Sequence, residues 1–289
     1  MQQEKLKPTV AIIIPAFNCE TYLGECLDSV LVQTYPYWEC VVVDDGSTDG
    51  THAIAESYSK RDGRIRCLQQ ANQGPSITRN NGIHASSGEY ILPLDGDDII
   101  EATYLEQAIH YFTKYPETKL VYCQASFFGE KEGRWDLPTY NYDSLLWDNI
   151  IFNAAIFRRS DYDKTPGYNS NMVYGLEDWD FWITLLNPQD QIHRIEEILF
   201  HYRIKPKSRN KNNTDTHIDE MHRQIVKNHL DIYTPFIENI INMRRELDSG
   251  KEELNYYQNE LKSIRGSREY RLGRKIYSTL HKLKRPLHK

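Results

Sequence analysis

This sequence of 289 residues lacks cysteines in paired spacing, long apolar runs and glycine-rich phosphate-binding motifs. Its five cysteines are odd in number, none are spaced as CxxC, and all are scattered over the first half of the chain (Cys19, Cys26, Cys40, Cys67 and Cys123). This pattern argues against a disulfide framework and against a zinc cage of paired cysteines. A reducing compartment is therefore expected.

The apolar stretch nearest the N-terminus is short. Residues 10–14 form it, and it is interrupted at Pro15. A signal peptide needs an apolar stretch of about 7–15 residues, and a membrane-spanning helix needs about 20. We therefore predict a cytoplasmic location.

Two nucleotide-binding motifs, GxGxxG and GxxxxGK[ST], are also absent, which argues against a dinucleotide-binding dehydrogenase and a P-loop enzyme. The net charge is -6, from 35 Lys and Arg against 41 Asp and Glu, so nucleic acid is not expected as the main partner. With 39% hydrophobic residues, the composition is that of a globular chain able to bury an enzyme-sized core.

The first half of the chain contains a regular alternation of strand and helix patterns. Continuous β-branched runs at residues 10–14 and 41–43 are typical of strands covered on both faces. Between them, apolar residues recur on one face of a helix (Tyr22, Leu23, Cys26, Leu27, Val30 and Leu31). We predict an α/β fold with a Rossmann-like, mostly parallel sheet flanked by helices and a helical C-terminal extension.

From about residue 127 onward, the alternation of strand and helix patterns is less regular. We predict a loop at residues 129–142, strands at 150–157 and 199–204, and a helix at 179–186. Residues 205–216 are polar and read as a loop or boundary.

Acidic residues follow two of the predicted strands. Residues 44–50 read DDGSTDG and residues 95–98 read DGDD. The carboxyl ends of parallel strands share one edge of the sheet, where such sheets bind ligands. A hard divalent cation with a phosphate-bearing ligand would relieve the repulsion among these carboxylates, although each segment alone also suits a solvated turn.

Several motifs in order resemble glycosyltransferase family 2, whose members have the GT-A fold. In the first half they are residues 12–18, 27–34, 41–50, 74–80 and 90–98. In the second half they are residues 166–168 (PGY), 175–180 (GLEDWD) and 201–203 (HYR). The resemblance covers roughly residues 8–210. Residues 165–167 (TPG) depart from it, since the family often has two glycines there.

The resemblance implies a nucleotide-sugar donor, a UDP-sugar being favoured, and Mn²⁺ or Mg²⁺ as cofactor. It implies that Asp45 contacts the base, with Pro15, Ala16 and Phe17 in the same wall and Arg79 assisting, although Arg79 could instead be a helix-surface residue. In the DxD motif, Asp95 would lie near the ribose, Gly96 would help bind the nucleotide-sugar, and Asp97 would hold the metal. Further metal ligands would be Asp95 and His201, the latter with a structural alternative, and Asp98 would be their neighbour.

The same resemblance assigns the chemistry to the ED motif. Asp178, beside Glu177, would take the proton of the attacking hydroxyl, and a single displacement would invert the anomeric carbon. The alternative for the two acids is an acidic helix N-terminus favoured by the helix dipole. Trp179, Phe181 and Trp182 are expected in the core.

The chain beyond residue 216 reads as almost entirely helical. Apolar residues recur with heptad spacing from residue 240 to 264, which indicates a short coiled coil. Ser249 and Glu252 match a capping box, and we predict a helix break there. His217, His222 and His229 are expected on the surface. The predicted domains are a catalytic domain (1–215), a helical extension (216–261) and a basic tail (262–289).

The basic tail contains ten Lys or Arg and one Glu, a net charge of +9. It reads as a basic amphipathic helix, which suits an anionic membrane surface at the inner face of the plasma membrane. Docking on the acidic body of the same protein is a nearly equal alternative, and nucleic acid ranks third.

The sequence thus predicts metal-dependent, inverting sugar transfer to a hydroxyl of a glycan or lipid-linked acceptor, in bacterial-type surface polysaccharide assembly. A homo-oligomer is possible. The alternatives are a sugar nucleotidyltransferase and a non-catalytic nucleotide-sugar-binding scaffold.

Overall fold

The computed structural model describes residues 9–206, 214–267 and 274. Most of the basic tail and the middle of the polar segment at residues 205–216 lie outside the described residues. The described chain forms two compact units, with the boundary between His229 and Leu230.

The first unit is built on one sheet of nine strands. They are β1 (Val10–Ala16), β2 (Trp38–Asp44), β3 (Ile65–Gln69), β4 (Tyr90–Pro93), β5 (Ile99–Ile100), β6 (Thr118–Gly129), β7 (Gly133–Trp135), β8 (Ile156–Arg158) and β9 (Gln191–Ile204).

The sheet is mostly parallel, as the sequence predicts. Its order is β3-β2-β1-β4-β8-β6-β9-β5, and β7 pairs with β6. The pairs β2–β3, β1–β2, β1–β4 and β6–β9 are parallel. Strand β8 is antiparallel to both β4 and β6, so those two run in the same direction. Only β5, β7 and β8 run against the other strands of the described sheet.

Nine helices are described. They are α1 (Leu23–Leu31), α2 (Thr51–Arg61), α3 (Pro75–His84), α4 (Tyr104–Lys114), α5 (Tyr142–Leu145), α6 (Arg159–Tyr162), α7 (Glu177–Leu185), α8 (Asp215–Asn228) and α9 (Leu230–Gly266). None of these described helices combines the length and the apolar character that crossing a bilayer requires.

The core lies where the helices cover the central strands. Ile12, Ile13 and Ile14 of β1 are fully buried, as expected of a strand covered on both faces. Helix α3 approaches this strand at Gly82, where an added Cβ would lie 2.5 Å from the Ile13 Cγ2 atom. Glycine therefore allows the close contact between helix and sheet.

Two expectations for the second half are wrong. The predicted strand at residues 150–157 is only β8, and the preceding residues are buried without forming a strand. Their apolar character reports burial, which a buried loop and a strand share. The predicted loop at residues 129–142 contains the short strand β7 and ends in α5.

The predicted helix break at Ser249 is also wrong, because α9 continues through it. A glycine costs about 1 kcal/mol in a helix interior, and the good helix formers around Gly250 outweigh that cost. Helix α9 also contains Pro235 near its start.

His229 is buried, contrary to the expected surface position. Its Nε2 atom lies 3.1 Å from the Asp180 Oδ1 atom, which also accepts a hydrogen bond of 2.7 Å from the Asn228 side chain. The Asn169 side chain donates to the other Asp180 oxygen at 2.7 Å. Because Asp180 is fully buried on α7, these contacts tie the end of α8 to that helix.

Candidate active site

The turns that follow β1 and β2 lie side by side at the carboxyl edge of the sheet. The Asp45 backbone N–H donates to the Ala16 carbonyl at 2.8 Å. Pro15 and Ala16 end strand β1, and the Phe17 side chain beyond them is 51% exposed. The residues predicted to form the base-binding wall are thus adjacent to Asp45.

Asp45 is buried and organises the turn that precedes α3. Its Oδ1 atom accepts from the Gln70 side chain at 2.7 Å and the Gln73 N–H at 2.9 Å. Its Oδ2 atom accepts from the Gly74 N–H at 2.8 Å. Gly74 has a φ of 85°, in the region that favours glycine. The contact of Asp45 with a base stays a prediction.

Arg79 is buried and joins two of the predicted functional motifs. Its Nη2 atom donates to Asp95 Oδ1 at 2.6 Å and its Nη1 atom to Glu177 Oε1 at 2.9 Å. The helix-surface alternative for Arg79 is therefore wrong. The two carboxylates hold the pKa of the guanidinium above its ordinary value.

One carboxylate oxygen of Asp95 accepts hydrogen bonds, and the other accepts none from the described residues. Its Oδ1 atom accepts from Arg79 and from the Asn153 side chain, the latter at 3.2 Å. Among the described residues, its Oδ2 atom has no hydrogen-bond or ion-pair partner. Gly96 follows in a tight position, since an added Cβ would lie 3.2 Å from the Cys19 Sγ atom.

Asp97 and Asp98 are held by Arg203, near the end of β9, and by Lys205, just after that strand. The Lys205 ammonium contacts the Asp97 carboxylate. The Arg203 N–H donates to Asp98 Oδ1 at 2.9 Å, and its Nε donates to the Asp97 carbonyl at 2.8 Å. Burial raises the pKa of both carboxyls, and the neighbouring acids raise it further.

The acidic turn at residues 95–98 suits a divalent cation that also binds phosphate. The described residues contain no cluster of three or more His, Cys, Asp or Glu that would hold a metal alone. Mg²⁺ in phosphate-transfer sites is commonly held by one or two carboxylates with substrate phosphates as the other ligands. Asp95, with its free Oδ2 atom, and Asp97, which already binds a cationic group, suit that arrangement.

In the described structure, the His201 ring contacts side chains other than Asp95 and Asp97. Its Nδ1 atom is 2.7 Å from the Ser126 hydroxyl and its Nε2 atom 2.8 Å from Glu101 Oε1. Both ring nitrogens are thus engaged by other side chains. Metal ligation by His201 stays a prediction, and these contacts favour its structural alternative.

The acidic pair of the ED motif begins helix α7. Leu176, immediately before it, has a φ of 61°, an uncommon left-handed conformation for a residue other than glycine. The Asp178 carboxylate accepts from the Asn149 side chain at 3.2 and 3.3 Å and from the Trp179 N–H at 2.9 Å. These donors fix its orientation.

The environment of Asp178 raises its pKa to about 6. Burial is the largest cause, and the negative charge of Glu177 adds to it. The Asn149 amide, the Arg79 charge and the Trp179 N–H oppose the increase. A carboxylate with this pKa is ionised at neutral pH and is more basic than an ordinary aspartate, which suits proton abstraction.

Four buried polar atoms around these carboxylates have no hydrogen-bond partner in the described structure. They are Arg79 Nε, Asn149 Oδ1, Asn153 Oδ1 and the Tyr168 hydroxyl. Buried polar groups are normally paired, so unpaired atoms indicate a place for a polar ligand. Sequence reasoning missed Asn149 and Asn153, although two asparagines in an apolar segment were the available signal.

Comparison with known sequences identifies a family and several relatives of this chain. The family model described as Glycosyl transferase family 2 matches residues 11–177. EpsJ of Bacillus subtilis, an uncharacterized glycosyltransferase, is 46% identical over 221 residues, which cover 70% of this chain and 62% of EpsJ. TuaG of Bacillus subtilis, a candidate teichuronic acid biosynthesis glycosyltransferase, is 30% identical over 68% of this chain and 80% of TuaG. The chain spans 48% of the length of a further relative.

Comparison with solved structures identifies the fold. S. aureus TarS 1-349 matches with a TM-score of 0.62 and 23% identity, over 76% of this chain and 65% of that chain. Its complex with UDP-GlcNAc matches with a TM-score of 0.58 and 20% identity, over 78% of this chain and 73% of that chain. The resemblance and the fold class expected from the sequence are thereby confirmed: the chain has the GT-A fold and belongs to glycosyl transferase family 2.

Proposed function

We propose that the chain transfers a sugar from a nucleotide-diphosphate sugar to an acceptor hydroxyl, with inversion at the anomeric carbon. The observation that carries this proposal is the contact of one buried guanidinium, Arg79, with both Asp95 and Glu177. It brings the predicted donor-binding turn and the predicted base, Asp178, into one site. A displacement reaction needs this juxtaposition of donor and base.

The donor side of the site is the edge formed by the turns after β1, β2 and β4. A UDP-sugar is the favoured donor, and the solved complex of TarS with UDP-GlcNAc supports this choice. Asp45 and residues 15–17 would face the base, while the unpaired Asn153 oxygen would accept a hydrogen bond from a donor hydroxyl.

Asp95 and Asp97 would hold Mn²⁺ or Mg²⁺ together with the donor diphosphate. The bound ion would supply stabilisation of the negative charge on the departing nucleoside diphosphate. Lys205 contacts Asp97, and Arg79 contacts Asp95. Both side chains would therefore add positive charge beside the position proposed for the diphosphate.

Asp178 would accept the proton of the acceptor hydroxyl. The hydroxyl oxygen forms a bond to the anomeric carbon as the bond from that carbon to the diphosphate oxygen breaks, and the leaving group takes the electron pair. The Asn149 amide holds the Asp178 carboxylate during this step, and the unpaired Asn149 oxygen can accept a hydrogen bond from the acceptor.

The acceptor we propose is a glycan or a lipid-linked glycan of a bacterial-type surface polysaccharide. The description of TuaG as a candidate glycosyltransferase of teichuronic acid biosynthesis supports this class. A location at the inner face of the plasma membrane would follow from such an acceptor and from the +9 charge of residues 262–289.

The substitution Asp178→Asn tests the proposed base. It preserves the shape of the side chain, so we expect nucleotide-sugar binding measured by calorimetry to persist. Transfer should fall at least about a hundredfold, the usual contribution of general base catalysis. The assay measures nucleoside diphosphate released from a panel of UDP-, dTDP- and GDP-sugars, with Mn²⁺ or with EDTA.

Asp136→Asn is the matched control, because the Asp136 side chain is 90% exposed in a surface pair with Arg134. Its activity should equal that of the unaltered chain. Undiminished transfer by Asp178→Asn would exclude Asp178 as the base. Pyrophosphate release from a nucleoside triphosphate and a sugar phosphate would identify a nucleotidyltransferase, and binding without any turnover would identify a non-catalytic protein.

A further inference from the structure

Helix α9 has a row of apolar side chains that the described structure leaves uncovered. Six of them are between 50% and 68% exposed (Met243, Leu247, Leu254, Tyr257, Leu261 and Ile264). Soluble chains rarely leave such a contiguous apolar row in water. Such a row is typical of a surface that a partner or a membrane covers.

The spacing of the row is that of a two-helix seam. Leu247, Leu254 and Leu261 are seven residues apart and occupy heptad position a, whereas Met243, Tyr257 and Ile264 occupy position d. Gly250 stands at the remaining d position, where no atom lies within 4 Å of an added Cβ. Since α9 is continuous through Gly250, the heptad phase is kept across this position, although the glycine adds no side chain to the seam.

The charges beside the row distinguish the direction of pairing. Position g carries Glu246, Glu253 and Glu260, and position e carries Arg244, Lys251, Gln258 and Arg265. In a parallel pair, each g residue meets the e residue five positions later in the partner, which joins Glu246 to Lys251 and Glu260 to Arg265. An antiparallel pair would place glutamate against glutamate and cation against cation.

These charged groups are available for such pairing. Within the described part of the chain, Glu246, Glu260 and Arg265 form no salt bridge, and Lys251 makes only a loose contact of 3.7 Å with Asp248. The side chains of Lys251 and Asp248 are both about half exposed.

We propose that α9 pairs in parallel with α9 of a second copy of this chain, forming a homodimer through a coiled coil at residues 243–264. The apolar row supplies the seam, and the g and e charges set the orientation. This inference is independent of the proposed transfer reaction, because it uses only residues of the second unit.

The first test is the mass of the full-length chain by sedimentation velocity, over about 1–100 µM, the range of moderate association constants. We expect a dimer at the upper end. Leu247→Asp with Leu254→Asp should give a monomer throughout. Ser249→Asp with Asn255→Asp is the matched control, since it adds the same charge outside the a and d positions and should leave the dimer intact.

Charge exchange tests the direction without changing the apolar seam. Glu246→Lys with Glu260→Lys places cations at both g and e, and like charges there disfavour pairing. The loss of four favourable pairs per dimer should weaken association about tenfold at low salt. Adding Lys251→Glu and Arg265→Glu to the same chain should restore it in a parallel dimer.

Three outcomes would overturn the proposal. A monomer at every concentration would exclude self-association, and failure of the four-residue exchange to restore association would exclude the parallel arrangement. If the chain is monomeric and the apolar row is instead protected from proteolysis by vesicles of anionic phospholipid, a membrane surface covers α9. Circular dichroism of each variant distinguishes lost pairing from lost helix, since Glu and Lys have similar helix propensities.

Discussion

Asp178 illustrates how a single side chain obtains its chemistry from its neighbours. Its raised pKa of about 6 results from burial and from the adjacent Glu177, and the Asn149 amide partly opposes both. The helix N-terminus of α7 would by itself favour the ionised form. The balance leaves a carboxylate that is charged at neutral pH yet basic enough to accept a proton.

Substitution of Asn149 should therefore move the pH profile of the reaction. Asn149→Ala removes the amide donor, so the pKa of Asp178 should rise by roughly one unit, as expected for a hydrogen bond to a charged group. The base works only when deprotonated. The acidic limb of kcat/KM against pH should shift to higher pH by the same amount.

Asn153→Ala is the comparison for that experiment, because the Asn153 amide contacts Asp95 rather than Asp178. It should raise KM for the donor and leave the acidic limb in place. If the acidic limb of kcat/KM does not move in Asn149→Ala, a group other than Asp178 controls that limb.

The residues of the candidate site could be predicted from the sequence only where a motif of adjacent positions carries them. The DGDD and ED motifs do so for Asp95, Asp97 and Asp178. Asn149 and Asn153 contact acids 29 and 58 positions away, and no local pattern encodes such pairs. The burial of Arg79 likewise depends on two acids from distant segments.

At the scale of elements, the fold could be predicted best where burial on both faces requires a continuous β-branched run. Strands β1 and β2 satisfy that condition. The buried segment before β8 has the same apolar character but forms no strand. The sequence prediction missed the first half of β9 because that half is less apolar than the second. The continuity of α9 depends on the sum of many helix propensities, which one capping signal does not reveal.

The contact between α3 and β1 allows a test at this scale. Gly82→Ala places a methyl group 2.5 Å from the Ile13 Cγ2 atom and 3.2 Å from Val43 Cγ2. Helix α3 must move or the strand must shift, so the first unit should lose about 1–2 kcal/mol in free energy of unfolding. Because Arg79 lies on the same helix, sugar transfer should fall as well.

Gly250→Ala is the matched control, since it makes the same change in a helix where no atom lies within 4 Å. Urea unfolding followed by tryptophan fluorescence reports the first unit alone, because all five tryptophans precede residue 183. Equal midpoints for the two variants would contradict a tight contact at Gly82.

At the scale of the whole molecule, the net charge of -6 conceals two opposite parts. Residues 262–289 carry +9, so the remainder carries -15. The acidic part suits a ligand bound through a cation, and the basic part suits an anionic surface. A dimer formed through α9 would present two copies of the basic tail to such a surface, which strengthens weak binding.

Sedimentation with vesicles tests this distribution of charge. Binding to vesicles containing phosphatidylglycerol should occur at about 0.1 M salt and disappear at about 1 M, where the Debye length falls to about 3 Å. Vesicles of phosphatidylcholine are the control and should not bind. Absence of binding at low salt, with the tail resistant to protease in free protein, would indicate docking on the acidic body.

The bond between His229 and Asp180 has a further consequence for where the chain can be shortened. Removing residues from 215 onward would leave the fully buried Asp180 carboxylate with the Asn169 side chain as its one partner among those described. A buried charge stripped of its partners costs several kcal/mol. We therefore expect the smallest piece able to fold independently to extend through His229, because helix α8 belongs to the first compact unit.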